Sequence, residues 1–281
     1  MDMDFIRKNL PPYSVLMSVY VKEKPAYLSE SLQSVLEQTV PPDELVLVCD
    51  GKLTDELNVI IKAFESEYQS IFRSVRLIEN VGTGLAANEG IKNCRNELIA
   101  KMDSDDICVP DRFQKQLMMF LKNPDLDMAG GYIEEFDDVT RKPIAVRKTP
   151  LTHEEILKYA KRRSPFNNQT LIYRKSFVEK IGGYTDIKRC EDYEFITKML
   201  MAGAVGENIP EILVKYRVTK DNYKRRKNWA NTKSFIKVRK DLHKQGFSSL
   251  ADYLIPCAAQ LILFIMPEKF TSWAYKKFLR K

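Results

Sequence analysis

Four short apolar runs, each followed by a stretch with helical spacing, constrain the fold of this chain more than any other feature. Tyr13-Ser14-Val15-Leu16-Met17-Ser18-Val19-Tyr20, Glu44-Leu45-Val46-Leu47-Val48-Cys49, Val75-Arg76-Leu77-Ile78 and Leu98-Ile99-Ala100-Lys101-Met102 have strand length and are rich in β-formers. Between the first two, Leu28, Leu32 and Val35 recur at spacings of four and three, which predicts a helix over 27–37 with one buried stripe. Residues 54–68 and the segment through Leu85, Asn88 and Ile91 read as two more helices, and 110–123 as a fourth. Near-continuous apolar strands alternating with helices predict an α/β fold with a mainly parallel central sheet, flanked by helices on both faces.

The second and fourth runs end in acid. Asp50-Gly51 closes one, and Asp103-Ser104-Asp105-Asp106 closes the other. Strand ends in a parallel sheet share one rim, which is where open α/β sheets bind their ligands. Asp103 and Asp105 alternate about one residue, so in extended backbone both side chains point the same way. Two carboxylates on one side repel, and Mg²⁺ or Mn²⁺ relieves the repulsion while keeping positions for substrate phosphates. The plain alternative is an acidic surface loop. Gly82 and Gly84 are a weak phosphate-loop signal, because the pattern lacks the lysine of a P-loop. No G-x-G-x-x-G follows the first run, which argues against a dinucleotide fold.

Further along, 127–136 is strand-like and contains Gly130-Gly131, and 137–147 reads as a charged loop. Thr152-His153-Glu154-Glu155 is a capping box, a polar loop at 164–169 leads into Thr170-Leu171-Ile172-Tyr173, and Gly182-Gly183 ends a helix over 175–181. Cys190-Glu191-Asp192 opens a helix whose apolar positions are Phe195, Ile196, Met199 and Leu200. An acid there is either a helix cap stabilised by the dipole or a general base.

Charge is unevenly spread. The net charge is +7, but residues 220–281 carry fifteen Lys/Arg against four Asp/Glu, or +11, which leaves −4 on residues 1–219. An acidic body with a basic tail suggests that the tail meets an anionic surface. Five cysteines without CxxC spacing predict reduced thiols and a cytoplasmic setting, and two histidines are too few for a zinc site. The acidic start Met1-Asp2-Met3-Asp4 is no signal peptide.

The ordered set of Ser18-Val19-Tyr20, Asp50-Gly51, Asn80-Val81-Gly82, Leu85 to Gly90, Asp103-Ser104-Asp105-Asp106, Gly182-Gly183-Tyr184 and Glu191-Asp192 resembles the family-2 glycosyltransferases. These are inverting enzymes with the nucleotide-sugar-binding GT-A fold, and the chain is most similar to bacterial members that assemble capsule, exopolysaccharide or lipopolysaccharide. The resemblance spans residues 13–226. It implies that Val19 and Tyr20, beside Ser18, border the base and that Asp50 bonds the uracil. It further implies that Gly82, Leu85, Asn88 and Ser104 lie in the nucleotide-sugar site. Asp103 would meet the ribose or phosphates, Asp105 would ligate Mn²⁺ or Mg²⁺ with Asp103 beside it, and Asp192, next to Glu191, would deprotonate the acceptor. Many relatives carry a histidine where Tyr216-Arg217-Val218-Thr219 has threonine, so either metal binding is weaker here or Lys220, Lys224, Arg225 or Arg226 supplies charge to the diphosphate.

The expected reaction is hexosyl transfer from a UDP-sugar to a hydroxyl of a lipid-diphosphate-linked saccharide. A polyprenyl-phosphate sugar synthase would need no base, since its acceptor is already ionised, and Glu191-Asp192 argues against it. A nucleic-acid-binding protein would want aromatics interleaved over a basic face in the body, which is absent. A sugar nucleotidyltransferase would want a Gly-rich basic loop near the N-terminus, and residues 18–25 supply none. Residues 254–266 are apolar but too few to span a bilayer. Beyond Pro267, Phe270, Trp273, Phe278 and Leu279 alternate with Lys269, Lys276, Lys277, Arg280 and Lys281, the pattern of a helix lying in a membrane interface. The expected organisation is a catalytic domain over 1–226, with a nucleotide-sugar half (1–125) and an acceptor half (126–226). A helical basic segment over 227–281 then attaches peripherally to the inner leaflet, and an oligomer remains compatible with this plan.

Overall fold

The computed structural model describes residues 9–187, 189–219 and 228–266. The apolar runs form β1 (Tyr13–Val19), β2 (Glu44–Cys49), β3 (Phe72–Arg76) and β4 (Leu98–Asp103), parallel and in the order β3-β2-β1-β4. Both faces of β1 and β2 are buried because alternate side chains enter different helical layers. Val15, Met17, Leu45 and Leu47 join one core, Leu16, Val46 and Val48 the other. The first core is closed by α1 (Pro25–Leu36), α2 (Asp55–Glu67) and α4 (Arg112–Lys122). The second is closed by α3 (Thr83–Asn93), α5 (His153–Ala160), α6 (Lys175–Ile181) and α7 (Glu191–Met201). The capping box at Thr152 and Glu155 opens α5 as its sequence predicts. All five cysteines are free thiols.

The sheet is mixed beyond β4. There β8 (Ile172–Arg174) runs antiparallel between β4 and β6 (Met128–Asp137), and β9 (Gly206–Val218) returns parallel to β6. The short β5 (Ile107–Cys108) pairs antiparallel with β9 at the far edge. The expected charged loop over 137–147 is instead a hairpin, in which β7 (Pro143–Arg147) pairs antiparallel with β6. Its turn is set by Asp137 Oδ1, which accepts from Val139 N–H, Thr140 N–H and the Thr140 hydroxyl at 3.2, 2.7 and 2.9 Å. An exposed edge strand buries no alternate face, so its sequence carries no period to read. The third strand also lies earlier than 75–78. Phe72 is buried and pairs with Leu45, whereas Ile78 is fully exposed.

A helical hairpin follows, α8 (Trp229–Lys244) and α9 (Leu250–Ile265). Val238 and Leu242 of α8 pack with Tyr193 of α7, and the Arg239 guanidinium donates to the carbonyls of Lys161 (3.1 Å) and Arg162. Arg162 in turn bonds Asp252 at 2.6 Å, in the first turn of α9. Among the described residues no helix is long and apolar enough to cross a membrane. Lys220, Lys224, Arg225, Arg226 and the aromatic-basic segment from Pro267 onward lie outside the described residues.

Candidate active site

Parallel register brings the acidic strand ends to one rim. Ser18 of β1 stands opposite both Val48 of β2 and Asp103 of β4. A cleft of about 1170 Å³ opens there, lined by Ser18, Val19, Tyr20 and Asp50 on the sheet side and by Gly82 and Leu85 at the start of α3. Its other wall carries Arg189, Glu191, Lys233 and Lys237. A cavity at the strand ends of an α/β sheet is where this architecture takes a ligand.

Asp50 is committed to the turn that faces it. Its Oδ1 accepts from Val81 N–H at 2.7 Å, and its Oδ2 accepts from the Asn80 amide at 2.8 Å and Gly82 N–H at 3.1 Å. The carboxylate therefore shapes the Asn80-Val81-Gly82 wall of the cleft. Gly51 lets this happen, since at φ +83° a Cβ would stand 2.7 Å from Asn80 N. Asn88 faces away from the cleft. Its amide donates to Tyr184 carbonyl and accepts from Tyr184 N–H, both at 2.8 Å, and this clamps α3 to the chain entering α7. Gly183, at φ +69°, fits beneath that clamp because a Cβ there would stand 2.4 Å from Asn88 Oδ1.

The acidic loop differs from its sequence reading in one respect. The strand ends at Asp103 and the chain turns through Ser104 and Asp105, so the extended alternation expected to align Asp103 with Asp105 does not hold. Ser104 donates its hydroxyl to Glu23 at 2.6 Å, and Asp103 carbonyl accepts from Ser31 at 2.9 Å. The turn is gripped by Arg217 at the end of β9. Its N–H donates to Asp106 Oδ1 and its Nε to Asp105 carbonyl, each at 2.8 Å. The rest of the guanidinium bonds Asp138 at 2.9 Å and Glu30 at 2.5 Å, stacked 4.1 Å over the Tyr27 ring. Burial, then the charges of Asp105 and Asp103, hold the Asp106 carboxyl well above the usual carboxylate range.

Beneath the rim lies Lys101, 2% exposed, with its Nζ 3.5 Å from Asp103 Oδ1. It also acts on the opening of α7. Glu191 and Asp192 there are both pushed up, chiefly by withdrawal from water, and Lys101 opposes the rise in each. Asp192 reaches about 7, its Oδ1 shut away from solvent without a hydrogen-bond partner among the described residues. It makes no cap bond, since Cys190 (φ +66°) occupies the cap position and caps with no side chain. A carboxyl poised near neutrality, with one oxygen unpartnered and next in sequence to the cleft-lining Glu191, has the properties of a general base.

Among the described residues no group of three or more His, Cys, Asp or Glu side chains is arranged to hold a metal ion. Asp103, at the strand end, and Asp105, two residues on in the turn, offer the oxygen donors that a hard cation would need while keeping most of its positions for phosphate and water. They do not make a closed cage. Sequence reasoning passed over Lys101 and the cleft-lining Arg189, Lys233 and Lys237. The signal for Lys101 was a lysine inside an otherwise apolar buried strand, a placement costly unless the charge has work to do.

The chain is similar to known proteins in sequence and in fold. The chain is 35% identical over 271 residues to a UDP-Gal:α-D-GlcNAc-diphosphoundecaprenol β-1,3-galactosyltransferase of Escherichia coli, covering 96% of this chain and 98% of that protein. It is 31% identical to the amylovoran biosynthesis glycosyltransferase AmsE of Erwinia amylovora, covering 94% and 98%. The S. aureus TarS 1-349 structure in complex with UDP-GlcNAc superposes with a TM-score of 0.68 at 18% identity, covering 94% of this chain and 79% of that one. The mannosyltransferase PcManGT of Pyrobaculum calidifontis, in complex with GDP-Man and Mn²⁺, superposes at 0.65 and 16%, covering 93% and 72%. Both share the GT-A fold. Residues 14–182 match the model of glycosyl transferase family 2, more than half of the chain, and with the two curated relatives this makes the chain a member of that family.

Proposed function

We propose that this protein is an inverting hexosyltransferase that moves a sugar from a UDP-sugar to a hydroxyl of a lipid-diphosphate-linked saccharide, in the assembly of a bacterial surface polysaccharide. The observation that carries the reading is the buried, uncapped Asp192 carboxyl next to the cleft-lining Glu191, within the fields of Lys101 and Asp103. In this mechanism Ser18, Val19 and Tyr20, with the turn held by Asp50, bind the nucleotide. Asp192 accepts the proton of the acceptor hydroxyl as its oxygen attacks the anomeric carbon on the face opposite the diphosphate. The new glycosidic bond forms as the sugar–phosphate bond breaks, so configuration inverts and UDP leaves with the electron pair. Mn²⁺ or Mg²⁺ held by Asp105 and Asp103 would neutralise the leaving diphosphate. Lys101 holds Asp103 in place between the two halves of the site.

The reading includes attachment to the inner face of the membrane. After Asp252, α9 carries no charge, and its outward stripe is Leu254, Ile255, Ala258, Ile262 and Ile265, each exposed. An apolar helix face on a segment of strongly positive charge has the character of an interfacial helix near anionic lipid. The test is transfer from UDP-Gal, the donor of the Escherichia coli relative, to a synthetic GlcNAc-diphosphate lipid with and without Mn²⁺. Other UDP-sugars follow if galactose is refused. A metal-dependent β-linked product supports the reading. Retention of configuration, or transfer to a bare lipid phosphate, overturns it.

A further inference from the structure

The cleft that has Asp50 on one wall has cations on the other. Lys233 and Lys237 stand four residues apart on α8, so one helix face presents both to the cavity. Arg189, two residues before Glu191, lines the same space. All three are exposed, and none forms an ion pair among the described residues. The opposite face of α8 is pinned. Val238, Arg239 and Leu242 are buried against α7 and the end of α5, and the Arg239 guanidinium lies 4.7 Å over the Tyr193 ring. The two lysines are therefore held at the cleft by a docked helix. Asp50, Glu79, Asp186 and Glu191 line the same cavity, so its pull on an anion is local to the side where Lys233 and Lys237 stand together.

In the proposed reaction the donor diphosphate would be served by Mn²⁺ or Mg²⁺ held by Asp103 and Asp105, which lie outside the lining of this cavity. The acceptor of the proposed reaction brings a second diphosphate, attached to the sugar whose hydroxyl meets Asp192. Glu191, adjacent to that base, lines the same cavity as the cations. We propose that Lys233, Lys237 and Arg189 form a site for the diphosphate of the lipid-linked acceptor. The inference rests on the acceptor class given above. It also assigns one task to each face of the hairpin: α8 takes the anionic headgroup, and α9 lies against lipid with its apolar stripe.

The paired variant Lys233→Gln, Lys237→Gln tests this in the full-length protein, with Lys233→Arg, Lys237→Arg as the charge-preserving control. Two acceptors are compared, a short-chain alkyl-diphosphate GlcNAc and a neutral octyl GlcNAc, and UDP binding is measured separately. The expected result is a rise of about tenfold or more in KM for the diphosphate acceptor, since contacts between charged groups are the stronger hydrogen bonds. The effect shrinks at high salt, is absent with the neutral glycoside, and is restored by the arginine pair. UDP affinity stays within about twofold. A matching loss of UDP affinity assigns the cations to the donor and overturns the proposal, as does an unchanged KM for the diphosphate acceptor. If the wild type transfers to neither acceptor, the functional reading fails instead. Calorimetric binding of decyl diphosphate to wild type and variant then decides the site by itself: binding lost in the variant supports it, and binding that is absent or unaffected by the variant refutes it.

Discussion

Replacing Asp192 with asparagine should make the protein more stable and nearly inactive. The carboxyl rises from its usual 3.8 to about 7 in the folded chain, mainly through burial. A folded-state value raised above the unfolded one means that the native protein binds the extra proton. The sign follows from linkage: stability falls as pH rises between about 4 and 7, and below about 4 both states are protonated and the penalty vanishes. A rise of about three pH units at about 1.4 kcal/mol each gives roughly 4 kcal/mol as the upper bound at pH 8. Asparagine keeps the shape and removes the titration, though its amide is still buried, so about half of that is a fair expectation. For a domain somewhat larger than 150–250 residues, about 2 kcal/mol corresponds to a rise in Tm of about 4 °C.

The assay is a pair of melting curves, wild type and Asp192→Asn, at pH 8 and pH 5.5, with turnover measured on the same samples. The variant should gain more at pH 8 than at pH 5.5, and turnover should drop by about 10²–10⁴ while UDP affinity holds. Loss of a helix cap predicts the reverse, a destabilisation of about 0.5–2 kcal/mol at both pH values with turnover per folded molecule intact. That second pattern refutes the assignment of the base.

Lys101→Met should move the acidic limb of the kcat profile to higher pH, because Lys101 is the cation that opposes the rise of Asp192; a limb that stays put separates the two groups. Asp105→Ala should abolish the Mn²⁺ or Mg²⁺ dependence of UDP-sugar binding and leave the melting temperature near that of the wild type. Arg217→Met takes the shared guanidinium from Asp138 and Glu30 while keeping the backbone N–H on Asp106, and should cost about 1–3 kcal/mol in a denaturant titration, partly restored by adding Asp138→Asn. Ile255→Glu with Ile262→Glu, both on the exposed stripe of α9, should reduce sedimentation with phosphatidylglycerol vesicles by about tenfold without lowering Tm; unchanged sedimentation means that protein covers the stripe.

The parallel half of the sheet was legible because its strands are buried on both faces and so carry nothing but apolar side chains, with helices at regular intervals between them. The hairpin β6–β7 and the long β9 were not. β7 is an edge strand with little buried, and β9 includes Pro210 and Glu211 where its pairing with β6 slips register. The rim acids were legible as strand endings, but their geometry was not. A turn at Ser104 replaces extended backbone, and Asp50 spends both oxygens on backbone and amide donors that no local pattern reveals. The cation wall was illegible for a different reason. Arg189 is far in sequence from Lys233 and Lys237, and only the docking of α8 through Arg239 brings them to one cavity.

The arrangement of charges explains why one acid is free to act as the base. Acids crowd this rim, and most are matched. Asp106 accepts from the Arg217 backbone N–H, Asp138 and Glu30 share the Arg217 guanidinium, and Asp103 has Lys101 at 3.5 Å. Asp50 has three donors from the turn it shapes. Asp138 and Glu30 sit below the usual carboxylate range through their hydrogen bonds, whereas burial keeps Asp106 above it. Asp192 has Lys101 at longer reach, with Glu191 and Asp103 working against it, and no hydrogen bond to its Oδ1. The raised Asp192 carboxyl therefore needs no special chemistry of its own. It follows from satisfying the neighbours and leaving this one unsatisfied, a local loss of stability that the packing of Phe195 and Tyr184 behind it, rings stacked at 4.0 Å, helps the fold to tolerate.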